Sequence, residues 1–339
     1  MDVIECRKVG IEDYDDVMSI RDVYDGLDYL PALYRTFMAD HTGYAVIVNK
    51  TMVAFQCVTF IDDGETIIPR ALRMRKGYEG RGLVYRLRAF VLQDIAGKPR
   101  LKRNVFTTGN EAILQKVLKE RRGELIVQRD ILFYQGGVSK VIPFIPTVDN
   151  IPMRILSKGD LQKLLSSKAD DTDKLFPQGR IIVDWVPYRL LASNEDHFFN
   201  DFCHILGSEC KDGGSGSFEC STQAVGYIVP NGIRYNVEIY GNFTEETFSL
   251  HMAEHLRKCS TLEYENINFF IHYEHGMHGV SMISKSMHQF GMNVLDTFHV
   301  NTMYGIKFHW LSYLSTDRPT HKYSISFKRM NQLCHIYFI

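Results

Sequence analysis

Two stretches of this sequence carry residue types whose spacing could do chemistry. In Arg75-Lys76-Gly77-Tyr78-Glu79-Gly80-Arg81-Gly82-Leu83-Val84, Gly77, Gly80 and Gly82 stand between an apolar run and a segment with helical spacing. Backbone N–H groups of such a turn, aided by the dipole of the following helix, can hold a diphosphate. The turn is not a P-loop, because no Gly-Lys-Ser/Thr follows, and it does not open a βαβ unit as a dinucleotide fingerprint would. An ordinary glycine turn is the alternative, since glycine serves any tight backbone path. The second stretch, His251-Met252-Ala253-Glu254-His255, matches the H-x-x-E-H pattern that sets two imidazoles one helical turn apart with a carboxylate between them, a zinc arrangement. The same segment needs Leu250, Ala253 and Leu256 for packing, and no third ligand follows at a suitable offset, so no metal is expected. The seven cysteines are odd in number, widely spaced and without a C-x-x-C pair. They are read as reduced thiols, and nothing in their spacing suggests a Cys–His nucleophile.

The elements that would position the glycine turn can be read from periodicity. Val3 to Val9 is a strand, and Glu12 to Tyr24 carries Tyr14, Val17, Met18 and Ile20 at helical spacing. Pro31 sits in the first turn of a second helix, which Asp40-His41-Thr42-Gly43 ends. Tyr44 to Asn49, Met52 to Ile61 and Thr66 to Met74 are β-branched and aromatic runs that form a three-strand meander. The glycine turn then leads into a helix marked by Leu83, Leu87, Phe90, Val91 and Ile95, followed by a strand at Asn104 to Thr107, a helix at Glu111 to Arg122 and a strand at Leu125 to Tyr134. Beyond Pro143, Pro146 and Pro152 an α/β order returns: a short helix at Leu161 to Leu165, a strand at Arg180 to Trp185, a hairpin over Pro230-Asn231-Gly232, then helices at Glu245 to Cys259 and Val280 to Phe290 alternating with strands at Ile267 to Tyr273 and Val294 to Val300. The reading is therefore α/β with a mixed central sheet. Its segments are a first domain over 1–140, a linker over 141–153, a second α/β domain over 154–315 and a tail over 316–339. The second half loosely echoes the order of the first, without enough identity to make a sequence repeat.

Composition sets the outer bounds. With 339 residues, two domains are the prior. Lys plus Arg number 39 against 40 for Asp plus Glu, so no global field draws the chain to phosphate backbones or anionic lipid, and nucleic acid is not an expected partner. No apolar run approaches the ~20 residues of a membrane span. The acidic and basic start of the chain resembles neither a signal nor a transit peptide, and a cytoplasmic location is the expectation. Composition says nothing of oligomeric state.

The order strand, two helices, three antiparallel strands, glycine turn with long helix, strand, helix, strand resembles the GNAT family of acyl-CoA-dependent N-acetyltransferases over residues 1 to about 136. A wider resemblance, to the histidine N-acetyltransferase group, is carried by Tyr24-Asp25-Gly26-Leu27-Asp28-Tyr29-Leu30-Pro31, Ile61-Asp62-Asp63-Gly64-Glu65-Thr66, Leu72-Arg73 and Ile181-Ile182-Val183-Asp184-Trp185-Val186-Pro187-Tyr188-Arg189. The resemblance implies a GNAT fold, with the second domain a candidate degenerate copy. It also implies acetyl-CoA as donor and the amine of a small molecule or amino acid as acceptor, with the α-amine of free L-histidine foremost.

By that resemblance Glu65 is the candidate general base, a solvated turn carboxylate being the alternative. Leu72, Arg73 and Met74 would face the thioester with backbone N–H groups, and Gly80, Arg81, Gly82, Leu83 and Val84 would wrap the diphosphate. Asn110 would meet the pantetheine arm or simply cap its helix. Asp28 and Tyr29 would meet the acceptor, with Asp184 and Tyr188 a further wall and Trp185 either core or contact. The family's Arg/Gln-x-x-Gly-x-Gly/Ala pattern reads Glu79-x-x-Gly82-x-Val84 here, and Val117 or Gly123 falls where its helix tyrosine is expected. Those departures keep a second reading open, a GNAT-shaped binding protein without catalysis.

Overall fold

The computed structural model describes residues 2–21, 23–39, 42–141, 153–166, 175–201, 203–209, 218–261, 264–277, 279–295 and 300–309. The chain divides into two compact units, residues 1–125 with 305–339, and residues 126–304. The predicted linker lies almost wholly outside the described residues, as does the tail over 316–339. The division falls instead inside two strands, β6 (Gly123–Gly137) and β15 (Thr302–Phe308).

The first unit opens with β1 (Ile4–Val9), the short α1 (Tyr14–Met18) and α2 (Leu30–Ala39), followed by β2 (Gly43–Val48), β3 (Thr51–Ile61) and β4 (Thr66–Met74). These strands are antiparallel neighbours in the order β1-β2-β3-β4. Asn49 and Lys50, both with positive φ, make the two-residue turn between β2 and β3, a geometry whose twist suits a hairpin. Asp62-Asp63-Gly64 turns β3 into β4, with the buried Asp62 carboxylate accepting the Thr66 hydroxyl at 2.7 Å. α3 (Leu83–Ile95) lays Leu83, Val84, Leu87, Val91 and Ile95 against Val46, Val48, Val53, Ala54 and Ile67 of the sheet. That i, i+4, i+8 stripe is the one the periodicity predicts. β5 (Arg103–Thr108) and α4 (Glu111–Lys119) complete this half of the sequence.

The second unit repeats that order. β10 (Cys203–Glu209), β11 (Phe218–Val229) and β12 (Gly232–Gly241) form an antiparallel meander; α8 (Glu245–Ser260) follows, then β13 (Asn266–Glu274) parallel to β12, then α9 (Val280–Gln289) and β14 (Asn293–Val294). β6 pairs antiparallel with β13, and β7 (Met153–Ile155) with β10. Between β7 and β10 come α6 (Lys158–Ser166), a small hairpin of β8 (Arg180–Val183) and β9 (Val186–Arg189), and the single-turn α7 (Glu195–Phe198), while α5 (Val138–Val141) follows β6. One face of the sheet packs on α8 and α9 through Tyr235, Val237, Ile239, Phe248, Met252, Phe269, Ile271 and Ile283. The strand predicted over Arg180 to Trp185 is in fact half of the β8–β9 hairpin, turning at Asp184 and Trp185. β10 and the first half of β11 carry Ser208, Ser221, Thr222 and Gln223 as buried residues, and such polar strands give no apolar alternation to read. Among the described residues no helix is long and apolar enough to cross a membrane.

Candidate functional site in the first unit

β4 has two irregularities that open one side of the sheet. Its register against β3 slips between Phe55 and Cys57, where β4 carries the extra residue, and Ala71 sits there at φ 53°. This is a β-bulge, which re-aims the strand. On its other edge β4 runs parallel to β5 over only two pairs, Thr66–Arg103 and Ile67–Asn104. Beyond Ile67 the outward peptide groups of β4 therefore have no strand opposite them among the described residues, and a polar ligand can take their hydrogen bonds. The second unit makes the contrast: its corresponding pair, β12 and β13, stays in register over six pairs, from Ile233–Ile267 to Glu238–His272.

Glu65 stands at the apex of this wedge. Its carbonyl accepts the N–H groups of Lys102 at 2.8 Å and Arg103 at 2.9 Å. Its carboxylate accepts from Arg103 Nη1 at 2.7 Å and from Lys102 Nζ. The two hydrogen-bonded cations hold its carboxyl down to about 2. A carboxylate so held is a poor proton acceptor at neutral pH. The residue predicted as base thus joins the head of β4 to the start of β5.

At the other end of β4 lies the glycine turn. Gly77, Gly80 and Gly82 have φ of 86°, 74° and 72°, and a Cβ at Gly77 or Gly80 would meet nothing within 4 Å, so conformation and not crowding calls for glycine there. Gly82 is the residue before α3, whose first-turn N–H groups lack intrahelical acceptors. Arg81 lies over the Tyr78 ring, 4.9 Å from its centre. Glu79 folds back into the turn, where its carboxylate accepts the Gly77 N–H at 2.6 Å, and these backbone hydrogen bonds hold its carboxyl below the usual range. Its charge is thereby placed on N–H groups upstream of α3.

The predicted acceptor residues separate. Asp28 is buried and committed: Arg73 Nη2 donates to both of its oxygens at 2.7–2.8 Å, and Oδ1 also accepts the Leu30 N–H at the start of α2. It holds the α2 loop to β4, and a carboxylate already paired with a buried guanidinium has no open charge to offer an amine. Tyr29 remains half-buried beside the bulge, with the Arg70 guanidinium 5.3 Å from its ring centre and 5.0 Å from that of Phe37. Arg70 is a candidate the sequence reading missed. Its signal was its place one residue before the bulge, which only the β3–β4 register reveals. The Asn110 side chain accepts the Ala112 N–H at 2.9 Å, the capping role.

The remaining predicted residues belong to the second unit. Asp184 lies among Arg234 and Asn236, whereas Tyr188 stacks on His197 and meets Phe198 edge-on, so these two do not share surroundings. Tyr134 is buried and bonded to Ser284. Both imidazoles of the H-x-x-E-H segment are buried in a hydrogen-bonded series: Ser208 to His251, His251 to Thr222, Thr222 to His255 and His255 to His204, all at 2.8–3.1 Å. Glu254 pairs instead with Arg257. Burial pushes the Cys57 and Cys203 thiols up to about 12, far from the thiolate a nucleophile needs.

With this geometry in view, comparison with known proteins is specific. Residues 149–273 match the family model described as histidine N-acetyltransferase, C-terminal. The chain is 28% identical over 197 residues to the human protein named probable N-acetyltransferase 16, covering 54% of this chain and 53% of that protein. It is 26% identical over 196 residues to the histidine N-acetyltransferase of Xenopus tropicalis, covering 55% and 60%. Among solved structures, the N-myristoyltransferase of Saccharomyces cerevisiae with bound myristoyl-CoA aligns at a TM-score of 0.51 and 10% identity, over 90% of this chain and 82% of that one. The fold is thus shared with an N-acyltransferase. The sequence relatives are the histidine N-acetyltransferases and a probable N-acetyltransferase, the group its residue blocks resemble. The chain spans little more than half the length of these curated relatives.

Proposed function

We propose that the protein is an acetyl-CoA-dependent N-acetyltransferase acting on the amine of a small molecule, with the α-amine of free L-histidine as the first acceptor to test. The observation that supports this most directly is the opening of β4 from β5 beside a glycine turn that leads into α3. The open peptide groups of β4 suit an extended pantetheine arm. The glycine turn, with Arg81 and Arg86 near it, suits a diphosphate. The Leu72 to Met74 backbone, next to the bulge at Ala71, would face the thioester carbonyl.

In this reading the neutral amine attacks the thioester carbon directly. A C–N bond forms, the C–S bond breaks, the ammonium proton passes to water and the thiolate leaves with CoA. N–H groups at the bulge would stabilise the tetrahedral oxyanion. Arg70, next to Tyr29, would hold the acceptor's carboxylate. Glu65 ties β4 to β5 at the apex of the wedge and takes no proton.

A thermal-melt titration with acetyl-CoA tests the donor site, because a ligand that binds only the folded chain raises its stability by RT ln(1 + [L]/Kd). A saturable rise is expected, and acetyl-CoA with L-histidine should then release CoA. No shift at about millimolar acetyl-CoA would sink the reading. A shift without CoA release from any amino acid would favour binding without turnover, the reading that Glu79 and the absent helix tyrosine support.

A further inference from the structure

β1 is the outer strand of the first unit's sheet. Among the described residues it pairs with β2 alone, in unbroken register from Ile4–Val48 to Val9–Gly43. The Asn49 N–H donates to the Val3 carbonyl at 3.0 Å, which makes Val3–Asn49 a hydrogen-bonded pair and, by alternation along the ladder, Glu5–Ile47, Arg7–Ala45 and Val9–Gly43 as well. The N–H and C=O groups of Ile4, Cys6 and Lys8 therefore point away from β2. Such an edge is a template for a further strand unless a proline, a bulge or repelling charges blunt it. β1 has neither proline nor bulge, so its charges decide what it can pair with.

Those charges are complementary to themselves in one register. Two β1 strands related by a two-fold axis normal to the sheet run antiparallel and keep their faces, so Ile4, Cys6 and Lys8 of one copy must oppose Ile4, Cys6 or Lys8 of the other. An axis at Glu5 sets Glu5 against Glu5, and an axis at Arg7 sets Arg7 against Arg7, both repulsive. An axis at Cys6 sets Glu5 of each copy opposite Arg7 of the other and Ile4 opposite Lys8. The outward groups then exchange about six hydrogen bonds. The Glu5–Arg7 pairs fall at the positions between them, where opposed side chains approach most closely. Glu5 is exposed and makes no ion pair among the described residues. Arg7 already reaches over the edge: its Nη1 donates to the outward Lys8 carbonyl at 3.0 Å, while its two terminal nitrogens hold Asp13 at 2.6–2.9 Å. A guanidinium has five donors and a carbonyl two lone pairs, so neither is exhausted.

The same register brings Val3 of one copy opposite Val9 of the other, on the side of the sheet where Val9 packs with Met38 of α2. A groove of about 470 Å³ lies there, lined by Val9, Ile11, Met38 and Ala39 together with Lys8 and Arg35. Val3 is 72% exposed and Ile11 52%, apolar side chains that a second copy would cover. We infer that β1 pairs with β1 of a second copy of this chain, through reciprocal Glu5–Arg7 contacts and with Val3 in the groove beside α2, to form a two-fold dimer. The inference uses nothing of the open edge of β4 or the glycine turn, so it and the acetyl-transfer reading can fail separately.

Sedimentation velocity of the full chain from about 1 to 200 μM decides the matter, with monomer expected to pass to dimer at a Kd of about 10 μM, as suits a small interface. Glu5→Arg, which reverses the charge facing Arg7 at both pairs, should weaken the dimer about ten-fold or more. Val3→Ser should weaken it about ten-fold by removing apolar cover from both grooves. Both side chains are exposed, so Tm in dilute solution, where the monomer prevails, should not change for either variant. A chain that stays monomeric up to about 200 μM would overturn the inference. So would a dimer that either substitution leaves intact, which would put the contact on another face.

Discussion

Glu65 stands where a base was expected, and in the structure two cations hold its carboxylate. Its position at the head of β4 was legible from the Asp62-Asp63-Gly64 turn, but its partners were not, because Lys102 and Arg103 lie far along the chain and reach it only once β4 and β5 pair. The same holds for Asp28, whose partner Arg73 was itself singled out for its backbone alone. Removing a true base lowers turnover by roughly 10²–10⁴. Glu65→Gln should instead lower kcat by less than about ten-fold, because its carboxylate lone pairs are taken by Lys102 and Arg103, whose hydrogen bonds hold its basicity down. The loss should appear as a weaker KM for acetyl-CoA and a lower Tm, since the apex of the wedge loosens. A hundred-fold fall in kcat with donor affinity intact would return Glu65 to the role of base.

At the scale of elements, the meander, the glycine turn and α3 were readable because apolar period and glycine placement both write themselves into a single segment. The bulge at Ala71 and the two-pair limit of the β4–β5 ladder were not, since register belongs to two strands at once. The turn into α3 carries its own test. Glu79 sits on the Gly77 N–H, a negative charge in a turn proposed for a diphosphate. Unit charges about 4 Å apart repel by about 1 kcal/mol even in water. Glu79→Gln should therefore tighten acetyl-CoA by about three- to ten-fold by isothermal titration, with the gain shrinking as salt is added. Weaker binding would mean that the Glu79 contact shapes the turn and that its charge matters less.

The molecule as a whole carries one fold order twice, yet the two units have diverged in what they bury. The first unit holds the wedge, whereas the second holds two polar interiors on opposite faces of its sheet, the layer of Asn236, Glu238 and His272 under the β8–β9 turn and the histidine series against α8. Burial pushes His204 and His251 down to about 3 and His255 well below its usual value, the last helped by the neighbouring imidazoles and Lys258. Above pH 6.5 these rings are neutral whether the chain is folded or not, and they add no pH dependence. Below it the unfolded chain takes up their protons while the folded chain does not, so stability falls as pH falls until the folded values are reached. Each ring contributes up to about 1.4 kcal/mol per pH unit, and three together would exhaust a stability of about 5–15 kcal/mol within a few units. Carboxylates held low by ion pairs, such as Glu65 and Asp160, pull the same way only below about pH 4.5. Urea midpoints measured from about pH 7 to 5 therefore isolate the histidines and should fall steeply. His251→Gln combined with His255→Gln should flatten that slope by about two thirds even if it lowers stability at pH 7. An unchanged slope would show that these rings protonate in the folded chain and that the series opens to water.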